Sequence, residues 1–533
     1  MQRSDKKASV GTNEAEVLAS PSQSVNPSEE NLAILQTRTR RLFNKWQLFA
    51  LSLMYMSTWS AVPGNMYYAM YNGGPAAYVG SYIVIGVGAL CQTASFSELA
   101  SIQPIAGAQY YWTYHFAPAG SRRFLTWIQG WVTWTGYVAT FASSVNFGTA
   151  VLEGIIQLNY PDYVVEGWRT TLISLCTLAV ITLINLFAFR AVPWFDLFSG
   201  VLNILLFVAF MIIFLVMAPK NSGDIFRQTN VSSGWENYYA ASQIGSLSNV
   251  WLFIGKFASP LAKSKADPVP GFEAVIHMGE ETKNAKKIVP QSLFWSIFAG
   301  VAMGFVTLIV TIVCMPPVEV ILDAASPVIA VLLHVTQSQT MTTALGGFLY
   351  FLNVSASMGN MTSVSRLTWA WARDGALPRW LGHVDGRYLI PFRAVWLTSF
   401  LVALLTLLNL GSETYIALGA ITSLSSMAMY MSYAVVFAVV LYARSTAKGI
   451  ELGPWNLGRW GRLVNIVALV YTVYVIVWLP FPQTTPVDAS TMNYSGPMLA
   501  GVLILAASLW VVRRKHWEGP NRAVVDIALK AED

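Results

Sequence analysis

An all-α membrane protein with twelve spanning helices is the fold class this sequence predicts, on three observations. Only 11% of its 533 residues are charged and 55% are hydrophobic, whereas soluble domains carry about 25% charged residues. Apolar runs of about twenty residues, the length that crosses a bilayer as a helix, recur along the chain. Lysine and arginine collect in alternate connections between those runs, which assigns each connection to one side of the membrane. The net charge of +6 is spread over short loops and forms no nucleic-acid footprint. Cys91, Cys176 and Cys314 all fall inside apolar runs, which argues against a disulfide framework or metal ligation.

The predicted spans are 46–70, 76–100, 124–152, 170–190, 193–218, 239–278 (interrupted), 292–315, 341–366, 392–411, 413–443, 463–481 and 496–513. Residues 1–41 precede them as a Ser-, Asn-, Glu- and Lys-rich stretch without an apolar signal sequence, expected to be a disordered cytosolic tail. Residues 42–515 are expected to form the twelve-helix membrane domain, and 516–533 a second cytosolic tail. With the N-terminus inside, the inner segments carry Arg38, Arg40, Arg41, Lys45, Arg122, Arg123, Arg190, Lys283, Lys286, Lys287, Arg366, Arg373, Arg444, Arg459 and Arg513, among others. The outer loops carry only Arg169, Lys220 and Arg227. Sequons at Asn230 and Asn493 fall in outer loops, as this orientation requires.

Two spans are broken. The first contains Trp59-Ser60-Ala61-Val62-Pro63-Gly64-Asn65-Met66, where a proline without an amide hydrogen and a permissive glycine favour unwinding; a simple proline kink is the alternative. The sixth is interrupted as well. Matching breaks five spans apart point to an inverted-repeat transporter with a site at the midplane. In the sixth span, Glu273 is a carboxylate embedded in apolar sequence, which is costly and therefore a functional candidate.

Several phrases taken together resemble the fungal amino-acid, GABA and choline permeases of the amino acid–polyamine–organocation (APC) superfamily. They are Tyr71-Asn72-Gly73-Gly74-Pro75, Glu98-Leu99-Ala100-Ser101, Pro104-Ile105-Ala106-Gly107-Ala108-Gln109-Tyr110-Tyr111-Trp112, Gly130-Trp131, the run from Gly271 to Ala285, and the run from Ser365 to Pro378. The resemblance implies two inverted five-helix repeats plus two extra helices, with substrate held between the unwound parts of spans one and six. The implied substrate contacts are Ser60, Ala61, Val62, Gly64 and Asn65 in the first span, and Phe253, Ile254, Gly255 and Phe272 in the sixth. The family's small-residue run is replaced here by Ala-Val-Pro-Gly-Asn, which leaves room for an amine without a carboxylate. The family phrase is also split: Phe253-Ile254-Gly255 is followed by sixteen residues, 256–271, before Phe272-Glu273-Ala274-Val275. That stretch holds three lysines and three prolines, which are unfavourable at membrane depth. Its removal restores the phrase without a seam. Codons for Gly255-Lys256-Phe257, Ala266-Asp267 and Pro270-Gly271 can encode splice donor, branch and acceptor sequences. Residues 256–271 are therefore expected to be a retained intron, the alternative being a genuine polar insertion.

Glu273 has two roles open to it: carrying a coupling proton, as carboxyl groups removed from water do, or bonding exposed backbone amides. Glu98 and Arg366 sit at predicted inner helix ends, where they could form an inner gate network or anchor the helices; Glu280 and Glu281 are expected at the inner membrane face, paired with Lys283, Lys286 and Lys287, with gating as the alternative. His277-x-x-Glu280 has the spacing of a metal pair, but no further ligand completes a site. Trp59, Tyr67, Trp131, Trp134 and Tyr137 could build an aromatic cage for a quaternary ammonium, or pack as ordinary aromatics. Asn353, Ser357 and Asn360 share one face of the eighth span, lining a pathway or bonding between helices. No cofactor loop, ATP-binding loop or nucleophile–base pair is present. The expected function is import of an amino acid or related amine such as GABA, with proton symport implied by the resemblance. A choline or quaternary amine transporter and a non-transporting nutrient receptor are the alternatives. The expected partners are the small-molecule substrate, a proton and the lipid bilayer, with no nucleic acid; the expected home is the plasma membrane.

Overall fold

The computed structural model describes residues 43–254, 272–324, 326–386, 389–410, 414–446, 450–488 and 491–520. Its elements are helices: α1 (Lys45–Met56), α2 (Thr58–Asn72), α3 (Gly74–Ile102), α4 (Ala108–Phe116), α5 (Arg122–Asn159), α6 (Gly167–Phe187), α7 (Val192–Met217), α8 (Tyr238–Ile254), a 3-10 helix (Phe272–Glu281), α9 (Ala285–Cys314), α10 (Val318–Asp323), α11 (Pro327–Thr336), α12 (Gln339–Arg373), α13 (Phe392–Thr406), α14 (Thr414–Ser445), α15 (Gly461–Trp478) and α16 (Ser495–Arg513). The first predicted span overlaps α1 and α2, the sixth overlaps α8 and the 3-10 helix with 255–271 outside the described residues, and each of the other ten overlaps one helix.

Among the described residues, eight helical segments are long and apolar enough to cross a membrane: Gly74–Ile102, Gly167–Phe187, Val192–Met217, Ala285–Cys314, Phe392–Leu410, Ser423–Ser445, Gly458–Trp478 and Ser495–Arg513. α1, α2 and α8 are shorter than a span, whereas α5 and α12 are long but less apolar because they form the interior. α5 and α12 lie antiparallel, and α12 is buried from Ser355 to Ala372. Their seam is polar and narrow. Ser144 Oγ meets Ser357 Oγ at 2.6 Å, Asn360 donates to Ser144 at 3.3 Å, and the Trp134 indole donates to Thr368 at 3.0 Å. Gly130 and Gly148 let the backbones approach, since a Cβ at either would run into Trp371 or Asn353. Interhelical hydrogen bonds and small residues are what hold helices together where lipid supplies no hydrophobic drive. The outer helices show the opposite face, with Leu205, Ile212 and Val216 of α7 and Val470 and Val477 of α15 exposed, as lipid-facing side chains would be.

The first span is broken at a different point from the one predicted. Ser57 adopts the left-handed region (φ 38°, ψ 41°) and separates α1 from α2, while Pro63 and Gly64 lie inside the continuous helix Thr58–Asn72. Side chains hold the break at Ser57. Its hydroxyl meets Ser60 Oγ at 2.8 Å, the Ser60 hydroxyl donates to the Ser57 carbonyl at 2.8 Å, and the Trp59 indole donates to Asn203 of α7 at 2.8 Å.

The two described ends of the chain meet one face of the bundle. Phe43 bridges to Thr282, and residues 514–520 continue from α16 against α4, α5 and the end of α12. The expected boundary of a tail at 516 is thus moved: Trp517 is only 3% exposed. The opposite face carries the loops holding Asn230 and Asn493, tied together where the Thr485 amide donates to the Ser233 carbonyl at 2.8 Å.

Candidate functional site

The 3-10 helix Phe272–Glu281 runs from the centre of the bundle to the terminal face and carries most of the candidate chemistry. Its starting residue for that chemistry, Glu273, is wholly buried. Gln109 of α4 donates to Glu273 Oε1 at 3.0 Å, and the Tyr433 hydroxyl of α14 donates to Oε2. Tyr55 of α1 and Tyr137 of α5 stand close enough to feel the carboxylate. No cationic side chain pairs with Glu273 among the described residues. Several buried polar atoms around it are without hydrogen bonds: the Tyr55 hydroxyl, Gln109 Oε1 and His277 Nε2. Unmet buried polar groups are costly unless water or a ligand satisfies them, so this nest suits exchange with a small polar species.

One turn further on, the 3-10 helix grips a single residue from both sides. His277 Nδ1 donates to the Ala106 carbonyl at 2.5 Å, and the Ala106 amide donates to Glu280 Oε1 at 3.1 Å. Because a carbonyl only accepts, the first contact fixes the Nδ1–H tautomer. The His277 ring also meets the Tyr137 ring edge-on at 4.8 Å. The metal-like spacing of His277 and Glu280 is thereby explained as a clamp on the loop between α3 and α4.

At the terminal face two arginines of α12 complete the arrangement. Arg373 makes two parallel bonds to Glu280, Nη1 to Oε2 at 3.0 Å and Nη2 to Oε1 at 3.2 Å. Arg366 donates from Nε to Glu281 Oε1 at 2.9 Å. Both guanidinium groups lie over aromatic rings, Arg366 on Phe189 at 4.2 Å and Arg373 on Trp369 at 4.5 Å. Next to Arg373, Asp374 accepts from the hydroxyls of Tyr110 at 2.7 Å and Tyr111 at 3.0 Å. The expected lysine partners of Glu280 and Glu281 are replaced in these bonds by arginines, whose flat donor forks suit carboxylates in a buried setting.

Other sequence-derived candidates divide differently. Glu98 does not share a network with Arg366: it pairs with Arg444 and accepts from the Leu457 amide at 3.0 Å, stapling the loop before α15 to the end of α3. Ser60, Ala61, Val62, Gly64 and Asn65 are buried in helix α2, just past the break rather than within unwound chain. Phe253 is buried against Tyr82, with ring centroids 5.2 Å apart. Gly255, residues 256–271, and the side chains of Ile254 and Phe272 lie outside the described residues. Asn353 abuts Gly148 and Ser357 bonds to Ser144, so both sit in the α5–α12 seam. The five aromatics do not converge into a cage. Trp59 packs on Phe207 and Phe210 of α7, Tyr67 on Tyr68 and Tyr71, and Trp131 on Trp127, Trp134 and Trp371. Sequence reasoning missed Gln109, Tyr433 and Arg373 as partners. Gln109 and Arg373 lay inside the quoted motifs, while Tyr433 carried no local signal.

An apolar rim, a polar axis and a broken first helix describe a multi-pass membrane protein, and the comparisons make it a transporter rather than an enzyme. Comparison with known proteins gives the family: the model of the amino acid permease family matches residues 43–507, and the chain belongs to that family. It is 28% identical over 459 residues to a candidate amino acid/polyamine transporter of Macrophomina phaseolina, covering 84% of this chain and 96% of the relative. It is 26% identical to amino-acid permease 2 of Neurospora crassa, covering 90% and 86% of the two chains. With the choline transporter of Saccharomyces cerevisiae it shares 23% identity, over 90% and 83%.

Proposed function

We propose that this permease is a secondary active importer of an amino acid or related amine such as GABA, driven by proton symport through alternating access. In this reading twelve spans form two inverted five-helix repeats plus two helices. Both termini are cytosolic and the protein resides in the plasma membrane. Substrate sits between the Ser57 break with the following turn of α2 and the Glu273 end of the 3-10 helix. The observation that carries the reading is Glu273: a buried carboxyl without a cationic partner among the described residues, at the head of a helix whose other end closes the terminal face. Glu280 lies seven positions beyond Glu273, about 14 Å at the rise of a 3-10 helix. A change at the central carboxyl is therefore carried to the closing ion pair by one short rigid element.

A choline substrate is the second reading, favoured by the Ala-Val-Pro-Gly-Asn run and by the name of the yeast relative. The test is tracer uptake into permease-deficient yeast, with the full chain and the chain lacking 256–271 compared. GABA, a neutral amino acid, a basic amino acid and choline are each offered with and without a proton uncoupler. Uncoupler-sensitive uptake of a zwitterion is expected. Uptake of choline alone would replace the first reading by the second, and binding without turnover would make the protein a receptor. Sequencing the transcript between codons 255 and 272 tests the intron: a mature message that uniformly keeps the sixteen codons removes that explanation.

A further inference from the structure

The segment after α16 is a second, independent closure of the terminal face. Trp517 is buried between exposed Arg513–His516 and exposed Glu518. Its ring meets Trp127 edge-on at 5.0 Å and stands 6.1 Å from both Trp371 and Trp510. Its indole nitrogen donates to the Asp374 carbonyl at 2.9 Å, and Arg513 donates to the Gly375 carbonyl at 3.0 Å. Arg123, at the start of α5, donates to the carbonyls of Arg514, at 2.7 Å, and Trp517. Tyr114 of α4 donates to the Glu518 carbonyl at 3.4 Å.

The carbonyls held by the indole and Arg513 belong to the turn directly after Arg373, the residue paired with Glu280. The Asp374 side chain at the same turn holds Tyr110 and Tyr111 of α4. Residues 513–518 therefore bind a point where α4, α12 and the 3-10 helix are joined. They do so through a single apolar anchor in an otherwise exposed stretch, a form of attachment that can detach as a unit.

We infer that residues 513–518 are a latch that favours the conformation closed at the terminal face, with Trp517 as its plug, and that the latch must release or shift for this face to open. The inference rests on the alternating-access reading above.

Thr113 supplies the reporter. It lies one turn from Gln109, on the side of α4 that Gln109 turns toward Glu273. It is fully buried, and its hydroxyl is without a hydrogen bond, so Thr113→Cys changes little else. The full chain carrying Thr113→Cys is reacted with a membrane-impermeant maleimide in inside-out vesicles, against the parent chain with its three native cysteines. Trp517→Ala should raise the labelling rate at least about fivefold, the change that loss of one net hydrogen bond of ordinary strength produces. Trp517→Phe, which keeps a ring and loses the donor, should fall between, and serves if the alanine variant fails to accumulate. Glu280→Gln, which breaks the ion pair directly, should raise labelling with the latch intact. Faster labelling in Glu280→Gln with an unchanged rate in both Trp517 variants would overturn the latch and leave alternating access standing. Unchanged labelling in all three would overturn both.

Discussion

Arg373 holds Glu280 by two parallel hydrogen bonds while the Ala106 amide occupies the same Glu280 Oε1. One carboxylate thus joins the end of α12 to the loop between α3 and α4. Removing one member of a buried pair leaves the other charge uncompensated, at a cost of about 3–5 kcal/mol. Glu280→Gln is expected to lower thermal stability in detergent and to abolish net uptake. Arg373→Lys should behave nearly as badly, because an ammonium cannot reproduce the fork. Wild-type uptake by Arg373→Lys would show that the two-pronged geometry is dispensable.

Glu273→Gln is expected to preserve the fold, since the amide oxygen still accepts from Tyr433. It cannot carry a proton. Uncoupler-sensitive accumulation and the dependence of uptake on external pH should both disappear, while exchange of labelled for unlabelled substrate across the membrane continues. Accumulation in this variant that still collapses with an uncoupler would assign the proton to another group.

His277→Asn should retain much of the activity, because the asparagine side-chain amide can present a donor where Nδ1 stands. His277→Phe keeps the ring against Tyr137 but leaves the Ala106 carbonyl unmet, costing about 1–3 kcal/mol. Comparable thermal stability and transport in the asparagine and phenylalanine variants would rule out a role for the Ala106 contact.

Gly130→Ala should be destabilising by about 1–3 kcal/mol, as the added methyl meets the Trp371 ring in the α5–α12 seam. Gly347→Ala is the control on α12: a Cβ there meets open space, and alanine is the better helix former by up to about 1 kcal/mol. The two variants should separate clearly in thermal melts of purified protein. Equal melting would mean that the seam yields freely.

Helix positions were legible because bilayer thickness and hydropathy act on contiguous residues. The run Val192–Met217 declares itself without reference to any neighbour. The interior helices were harder to grade as spans, since α5 and α12 exchange hydrogen bonds with each other and so tolerate Ser, Thr, Asn and Gly that lipid-facing helices avoid. The break in the first span was placed near Pro63 by backbone propensity, yet it falls at Ser57, where Ser60 and, through Trp59, Asn203 hold the chain.

What the sequence determined by itself was the string of apolar segments, the charge asymmetry between their connections, the family motifs and the isolation of Glu273 in apolar surroundings. All of these are properties of neighbouring residues. The tertiary structure decided the partners: Tyr433 for Glu273, 160 positions away, Arg373 for Glu280, Arg444 rather than Arg366 for Glu98, and Asp374 for Trp517. Such pairings depend on how helices distant in the chain are packed side by side, and a carboxylate's sequence neighbours do not specify which of several distant donors that packing will bring to it.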